Sequence, residues 1–373
     1  MKVALVHDWL TGMRGGERCL EVFCELFPEA DLFTLLHIRG SVSPVIERGR
    51  IVSSPLQRFP GAESRYRYFL PLFPWAAARF DLRGYDLVLS LSHCVAKGAR
   101  VPPGALHICF CLTPMRYVWD RYQDYFGARA GWAVRALMPP VAAALRQWDR
   151  TTSRRVHSFI AISRFVAERI AQYYGRESEV IYPPVDVRRF HLSSETEDYY
   201  LVVSALTPYK RVDLAIEAAN RLKVHLVVVG SGPEAARLRA LAGPTVELLG
   251  WRPDEEVAEL LARCRAVVFP SVEDFGIVPL EAMASGKPVV ALGLGGVRET
   301  VVPLDSGQEP PTGIFFPEQT VDSLIEAIRR FEANAHRFEP KALRARAEAF
   351  DRPLFKERIA EFVARRWEEF ARR

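Results

Sequence analysis

Short apolar runs, separated by stretches of helical period, set the plan of this chain. Lys2–His7 (KVALVH) has the length and content of a buried strand. Glycines at 12, 15 and 16 follow, and then Glu17–Phe27 with apolar positions 20, 23, 26 and 27 on one helical face. Strand, glycine turn and helix form the first half of a Rossmann-type unit. Further strands are expected at Asp31–Leu36, Asp86–Ser92, Leu106–Cys111 and Ser158–Ile162, with helical patterns between most of them. Alternation of this kind means α/β architecture with a parallel sheet.

The pattern then restarts. Ser178–Val187 (SEVIYPPVDV) runs from a strand into a proline-rich turn, and Glu195–Asp198 is acidic before the next apolar run. This composition marks a hinge between a domain at 1–190 and a second at 191–352. Strands of the second set are expected at Tyr199–Ser204, Val224–Gly230, Val246–Leu249, Ala266–Phe269 and Pro288–Leu292. The tail from Asp322 is helical by period, and its last segment, 353–373, carries an apolar stripe of Leu354, Ile359, Phe362, Val363, Trp367 and Phe370.

Composition narrows the class. A chain of 373 residues, 49% hydrophobic and 25% charged, suits two globular domains. No apolar run nears the ~20 residues a bilayer span needs, and Met1 leads straight into a strand, so a cytoplasmic chain without a leader is expected. Six cysteines occur without a CxxC pair; Cys109 and Cys111 share a strand face, which suits buried thiols. A net charge of +5 fits phosphorylated substrates or an anionic membrane surface, and no basic run or recognition motif points to nucleic acid. Two intervals, 58–80 and 122–155, interleave arginine with Phe, Tyr and Trp. They read either as a surface resting on anionic lipid or as core aromatics with solvated arginines.

Candidate chemistry concentrates at strand ends. In Val267–Val290 (VVFPSVEDFGIVPLEAMASGKPVV) a strand, loop, helix and strand follow one another. A helix opening near Ile277 behind Phe275 and Gly276 offers free N–H groups to a phosphate, and Glu281 in its first turns can bind sugar hydroxyls. Glu273 lies just ahead of it, and this is read as the nucleotide end of an active site. Lys210 and Arg211 (ALTPYKRVDL), the turn at Gly230–Ser231 and the end at Gly250–Trp251 occupy equivalent loops. In the first half, Gly15 and Gly16, His93 (SLSHCVAKG) and Arg116–Tyr117 (TPMRYVWD) also follow strands. The turn G-M-R-G-G is not the G-x-G-x-x-G of a dehydrogenase.

The string P-S-x-E-D-F-G-x-x-x-x-E-A-M-A-S-G-x-P-V-V-A resembles the signature of glycosyltransferase family 4, and TPMRYVWD resembles its bacterial O-antigen and exopolysaccharide mannosyltransferase-like branch. The chain departs from that pattern at Leu112, where the branch usually has histidine, and at Ala205, where the family usually has arginine. The resemblance implies the GT-B fold, two facing Rossmann-like domains with a deep interdomain cleft and the terminal helix returning to the first. It implies catalytic roles for Glu273, Lys210 and Arg211. Donor binding would fall to Glu281, Phe275, Gly276, Ile277, Gly230, Ser231, Gly250 and Trp251, and acceptor contacts to Gly15, Gly16, His93, Arg116 and Tyr117. It further implies retaining transfer without metal or cofactor, GDP-mannose as donor and a lipid-linked saccharide acceptor of surface polysaccharide synthesis. Peripheral contact with the inner face of the cell membrane fits the same picture. A UDP-sugar donor, a sugar-nucleotide epimerase of similar architecture and a non-catalytic sugar- or lipid-binding descendant stay open as alternatives.

Overall fold

A computed structural model describes residues 1–127, 131–307 and 309–372. The chain divides into two compact units, Met1–Pro183 with Phe355–Arg373, and Pro184–Leu354. The first division falls ahead of residue 190 because residues 184–190 are held by the second unit. Val185 N–H donates to Phe350 O at 3.0 Å, Arg352 N–H to Val185 O at 3.1 Å, and Val187 N–H to Asp351 Oδ1 at 3.3 Å.

Unit 1 is a seven-stranded parallel sheet in the order β3-β2-β1-β4-β5-β6-β7. Its strands are β1 (Val3–His7), β2 (Asp31–Thr34), β3 (Ile51–Ser53), β4 (Leu87–Ser92), β5 (Leu106–Cys111), β6 (Ser158–Ala161) and β7 (Glu179–Val180). β1, β4 and β5 are buried along their whole length, as central strands covered on both faces must be. Cys109 and Cys111 are buried free thiols on β5. From the terminal helix Arg352–Ala371, Phe355 packs against Phe23 and Phe110, and Phe370 meets His157. The buried stripe is Phe355, Ile359, Phe362 and Val363; Leu354, expected in it, is exposed because its neighbour Phe355 turns inward.

Unit 2 is a six-stranded parallel sheet ordered β10-β9-β8-β11-β12-β13. The strands are β8 (Tyr200–Val203), β9 (Leu226–Val229), β10 (Val246–Gly250), β11 (Ala266–Phe269), β12 (Val289–Leu292) and β13 (Gly313–Phe316). Helices Val212–Leu222 and Val321–Asn334 pack together, as do Ile277–Ala284 and Pro340–Glu348. In both sheets the order reverses beside the unit's first strand, between β1 and β4 and between β8 and β11. Loops leaving the carboxyl ends of such a strand pair open a crevice where ligands bind.

The interval 58–80 is part core and part surface. Tyr66, Leu70, Phe73 and Phe80 are buried in the unit 1 core, whereas Tyr68 is 82% exposed and Leu72 and Trp75 also face solvent beside Arg67 and Arg79. In the interval 122–155, residues 128–130 lie outside the described residues. Its helix Trp132–Ser153 buries Ala142, Leu145 and Asp149 but leaves its first turns uncovered, with Trp132 84% and Leu137 67% exposed. Among the described residues no helix is long and apolar enough to cross a membrane.

Candidate active site

At the switch point of unit 2, β8 ends in the loop carrying Lys210 and β11 ends in the loop carrying Glu273. Their side chains form an ion pair, Lys210 Nζ to Glu273 Oε1, partly open to solvent. The loop of Glu273 is fixed from the next strand over. Gly296 N–H donates to Glu273 O at 2.9 Å, and a Cβ at Gly295 would lie 2.5 Å from that same oxygen. Only glycine admits so close an approach.

Gly276, with φ +88°, breaks the extended path after Glu273 and opens the helix Ile277–Ala284. Ahead of it the Phe275 ring is buried against Phe350, with centroids 6.1 Å apart. Helix-opening N–H groups have no intrahelical acceptors, so the start at Ile277 can receive an anion. Glu281 is buried in the following turn of this helix. Gly230 N–H donates to Gly250 O at 2.8 Å, and a Cβ on Gly230 would lie 1.8 Å from Ser204 O. The loops after β8, β9 and β10 are thereby knitted together, with Ser231 exposed and Trp251 70% exposed beyond them. Arg211 takes the left-handed conformation at φ 51° and turns its guanidinium onto Asp213, Nε to Oδ1 at 3.2 Å. It therefore does not join the Lys210–Glu273 pair.

The equivalent end of unit 1 is built from buried charge. Asp8 follows β1 directly and its carboxylate accepts four backbone N–H groups of the turn after β4: His93 and Cys94 on Oδ2 at 2.7 and 2.9 Å, Val95 and Ala96 on Oδ1 at 2.6 and 2.8 Å. His93 Nδ1 lies 3.1 Å from Asp8 Oδ2, and its ring meets Trp9 edge-on at 4.4 Å. Burial pushes the His93 imidazole down to about 4 despite Asp8, which keeps it neutral. His7, wholly buried, has a hydrogen-bond acceptor at each ring nitrogen: Leu91 O at 3.2 Å from Nδ1 and Glu17 Oε1 at 3.4 Å from Nε2. When protonated, the ring can donate from both nitrogens at once. Burial pulls its pKa down, but Glu17 outweighs that and leaves it raised. The other oxygen of Glu17 accepts Arg14 N–H at 3.1 Å and so fixes the turn into helix Gly15–Leu26.

Gly15 and Gly16 open that helix, and Leu112 fills the space above them: a Cβ on Gly16 would lie 3.0 Å from Leu112 Cδ1 and 3.6 Å from His7 Cε1. Tyr117 leans into the unit 1 core with its ring 4.9 Å from Tyr125, and Arg116 is half-buried beside it. The structure thus gathers the Gly15–Gly16 turn, Leu112, His7 and His93 at one place in unit 1.

Residues 14–189 match the model described as Glycosyltransferase Family 4, and residues 186–350 match Glycosyl transferases group 1. A GDP-mannose-dependent alpha-mannosyltransferase of Mycobacterium tuberculosis is 33% identical over 273 residues, 69% of this chain and 69% of that one. The chain belongs to glycosyltransferase family 4. This family 4 protein also matches the O-antigen chain mannosyltransferase C of Escherichia coli, 29% identical over 164 residues, 41% of this chain and 43% of that one. Two of its curated relatives are thus spanned over about two fifths of their own length, 42% and 43%. Among solved structures, HepE of Anabaena in complex with UDP and glucose superimposes with a TM-score of 0.72 at 20% identity, over 98% of this chain and 99% of that one. Sucrose-phosphate synthase of Thermosynechococcus elongatus gives 0.72 at 18%, over 99% and 100%. At these identities the likeness establishes the fold, which is GT-B with two parallel Rossmann-like sheets.

His7, Asp8 and Glu17 of this glycosyltransferase were not picked out from the sequence. Their signal was faint: a His-Asp pair closing the first strand, and a glutamate directly after two glycines.

Proposed function

We propose that this chain is a retaining hexosyltransferase, taking mannose from GDP-mannose and passing it to a lipid-linked saccharide in surface polysaccharide synthesis. The observation that carries the reading is the Lys210–Glu273 pair at the switch point of unit 2, beside the helix start at Gly276–Ile277. The donor diphosphate would be met by Lys210, by Arg211 once turned from Asp213, and by N–H groups at 275–277. The glutamate freed from Lys210 would orient the transferred sugar, with Glu281 on the ribose hydroxyls and Trp251 offering a face to the base.

As the bond from the anomeric carbon to the phosphate oxygen breaks, negative charge collects on the leaving diphosphate, where Lys210 stabilises it. The acceptor oxygen bonds to the anomeric carbon on the same face, and its proton passes to the leaving phosphate. Configuration is retained, and the reading requires no resident metal or cofactor. Mannose is favoured by the two mannosyltransferase relatives. A UDP-sugar is the second reading, favoured by the UDP held in the HepE structure.

Exposed Tyr68, Trp75, Trp132 and Leu137 with nearby arginines support peripheral contact with an anionic membrane. Sedimentation with vesicles of anionic against zwitterionic lipid tests that part, and equal pelleting with neither removes it. Thermal-shift titration with GDP, UDP, ADP, dTDP and their sugar conjugates tests the donor. Ligand at ~100 times its dissociation constant adds about 2.7 kcal/mol, several degrees of midpoint. A shift with GDP and GDP-mannose alone is expected; a shift with uridine nucleotides alone selects the second reading. No shift with any of them sinks both.

A further inference from the structure

The loop and helix of the proposed donor site are braced from behind by one short helix, Pro340–Glu348. Arg344 Nη1 donates to Ala284 O, the last carbonyl of helix Ile277–Ala284, at 2.7 Å, and to Phe190 O at 2.8 Å. Arg346 donates through Nε to Thr300 O at 2.8 Å and through Nη2 to Glu299 O at 2.9 Å, the closing carbonyls of helix Val297–Thr300. Positions two apart on a helix point to different sides, so one turn reaches the tails of two neighbours. Both guanidiniums sit where a helix leaves its last carbonyls without intrahelical partners.

What those two helices lead back to gives the brace its meaning. Helix Ile277–Ala284 begins at Gly276, with the N–H groups assigned to the diphosphate. Helix Val297–Thr300 begins directly after Gly295 and Gly296, the glycines that hold the Glu273 backbone. The same segment also touches the head of the first helix. Phe350 packs on Phe275, and the Arg346 guanidinium lies 5.3 Å from the Phe350 ring centre. Behind the tail, Gly286 backs onto Pro340 so closely that a Cβ there would meet Pro340 Cα at 3.3 Å. The eight-residue helix Ile277–Ala284 is stiff enough that an anchor at its tail sets where its start points. The single turn Val297–Thr300 is short enough that its tail lies directly beside Gly295 and Gly296.

We propose that Arg344 and Arg346 are positioning residues of the donor site, Arg344 acting on the phosphate-facing N–H groups and Arg346 acting on Glu273. This rests on the donor reading above. Neither arginine touches substrate; each works through a helix.

The test uses the full chain with Arg344→Ala, Arg346→Ala and the matching Lys variants. Dissociation constants are measured for GDP or UDP, whichever the wild type binds, and for the corresponding nucleoside. Turnover is followed as release of nucleoside diphosphate from the sugar conjugate. Arg344→Ala should weaken the diphosphate roughly 10-fold and the nucleoside clearly less, since the nucleoside loses only the Glu281 contact on the braced helix and keeps the base contact at Trp251 on another loop. Arg346→Ala should instead lower kcat roughly 10-fold with the smaller change in diphosphate affinity. Lysine at each position, which restores the charge and N–H donors but not the planar fork, should recover part of the loss. A lowered unfolding midpoint with diphosphate affinity and kcat unchanged overturns the proposal, as does equal weakening of diphosphate and nucleoside. A wild type that binds no nucleoside diphosphate defeats the donor reading itself, an outcome distinct from either of these.

Discussion

The two units place charge at the same topological position and treat it in opposite ways. In unit 2, Lys210 and Glu273 meet across two loops, with 17% and 14% of their side chains exposed, and each has the other as its partner. In unit 1, Asp8 is wholly buried and satisfied by four backbone N–H groups, and the His7 ring is closed in by Glu17 and Leu91 O. A pair open to solvent on one side can part for an incoming anion, because water and the anion take over its lost contacts. A buried one cannot lose a partner without leaving an uncompensated charge. The difference teaches which end is arranged for exchange with a ligand and which for holding shape.

The largest effect expected separates these roles directly. Glu273→Ala or Lys210→Ala should lower turnover by about 10²- to 10³-fold while the unfolding midpoint stays close to wild type. Release of nucleoside diphosphate and thermal unfolding measure the two sides, and full turnover in Glu273→Ala breaks the comparison. Asp8→Asn should do the reverse. It places an amide NH₂ against N–H donors in a dry site, at about 2–4 kcal/mol, read as a lower urea midpoint. Nucleotide affinity of the folded fraction should hold if donor binding belongs to unit 2 alone.

That contrast also explains which parts of the site are legible in the sequence alone. The strand-end loop after β11 is legible because Glu273, Gly276 and Glu281 fall in one unbroken strand-loop-helix stretch that carries the family signature; the spacing of the two glutamates alone says little. Asp8 and His93 are 85 residues apart in the chain. Nothing in the local pattern of either tells that β1 and β4 lie side by side. β3 and β13 were missed for a different reason: Ile51–Ser53 has three residues and Gly313–Phe316 four, too short to show a period against their surroundings. Sequence adjacency sets Arg211 beside Lys210, yet its left-handed backbone sends the side chain to Asp213.

Acid should sharpen the comparison, because the shifted imidazoles lie in unit 1. Burial pushes His93 down to about 4 and His107 to about 3. With folded values below the ordinary 6.5, the unfolded chain takes up protons first as pH falls. Their stabilisation is complete above 6.5 and is lost as pH falls toward 4 and 3. His7 has the opposite sign: it is raised, so its share is complete below 6.5 and lost as pH rises through its folded value. Urea unfolding of the wild type should therefore weaken from pH 6.5 to 4. Glu17→Gln should remove the decline on the alkaline side and leave the acid limb in place. A flat acid limb in the wild type would show that these imidazoles are not held neutral.

The smallest effect tests whether strain in unit 2 serves the site. Among the described residues, two non-glycine positions have positive φ, Arg211 at 51° and Lys223 at 58°, and they stand at opposite ends of the same helix, Val212–Leu222. A side chain in this conformation costs about 1 kcal/mol relative to glycine. Lys223 sits at a helix end where glycine is the usual residue, exposed and away from the loops of β8 and β11. Lys223→Gly should raise stability by about 1 kcal/mol with turnover unchanged. Arg211→Gly relieves the same strain but removes the guanidinium, so stability should hold or rise while turnover falls roughly 10-fold. Strain kept where it could be shed is explained by use of the side chain. If Arg211→Gly instead keeps full turnover, Lys210 alone carries the positive charge at the exchange end, and the comparison reduces to one open pair against a closed cluster.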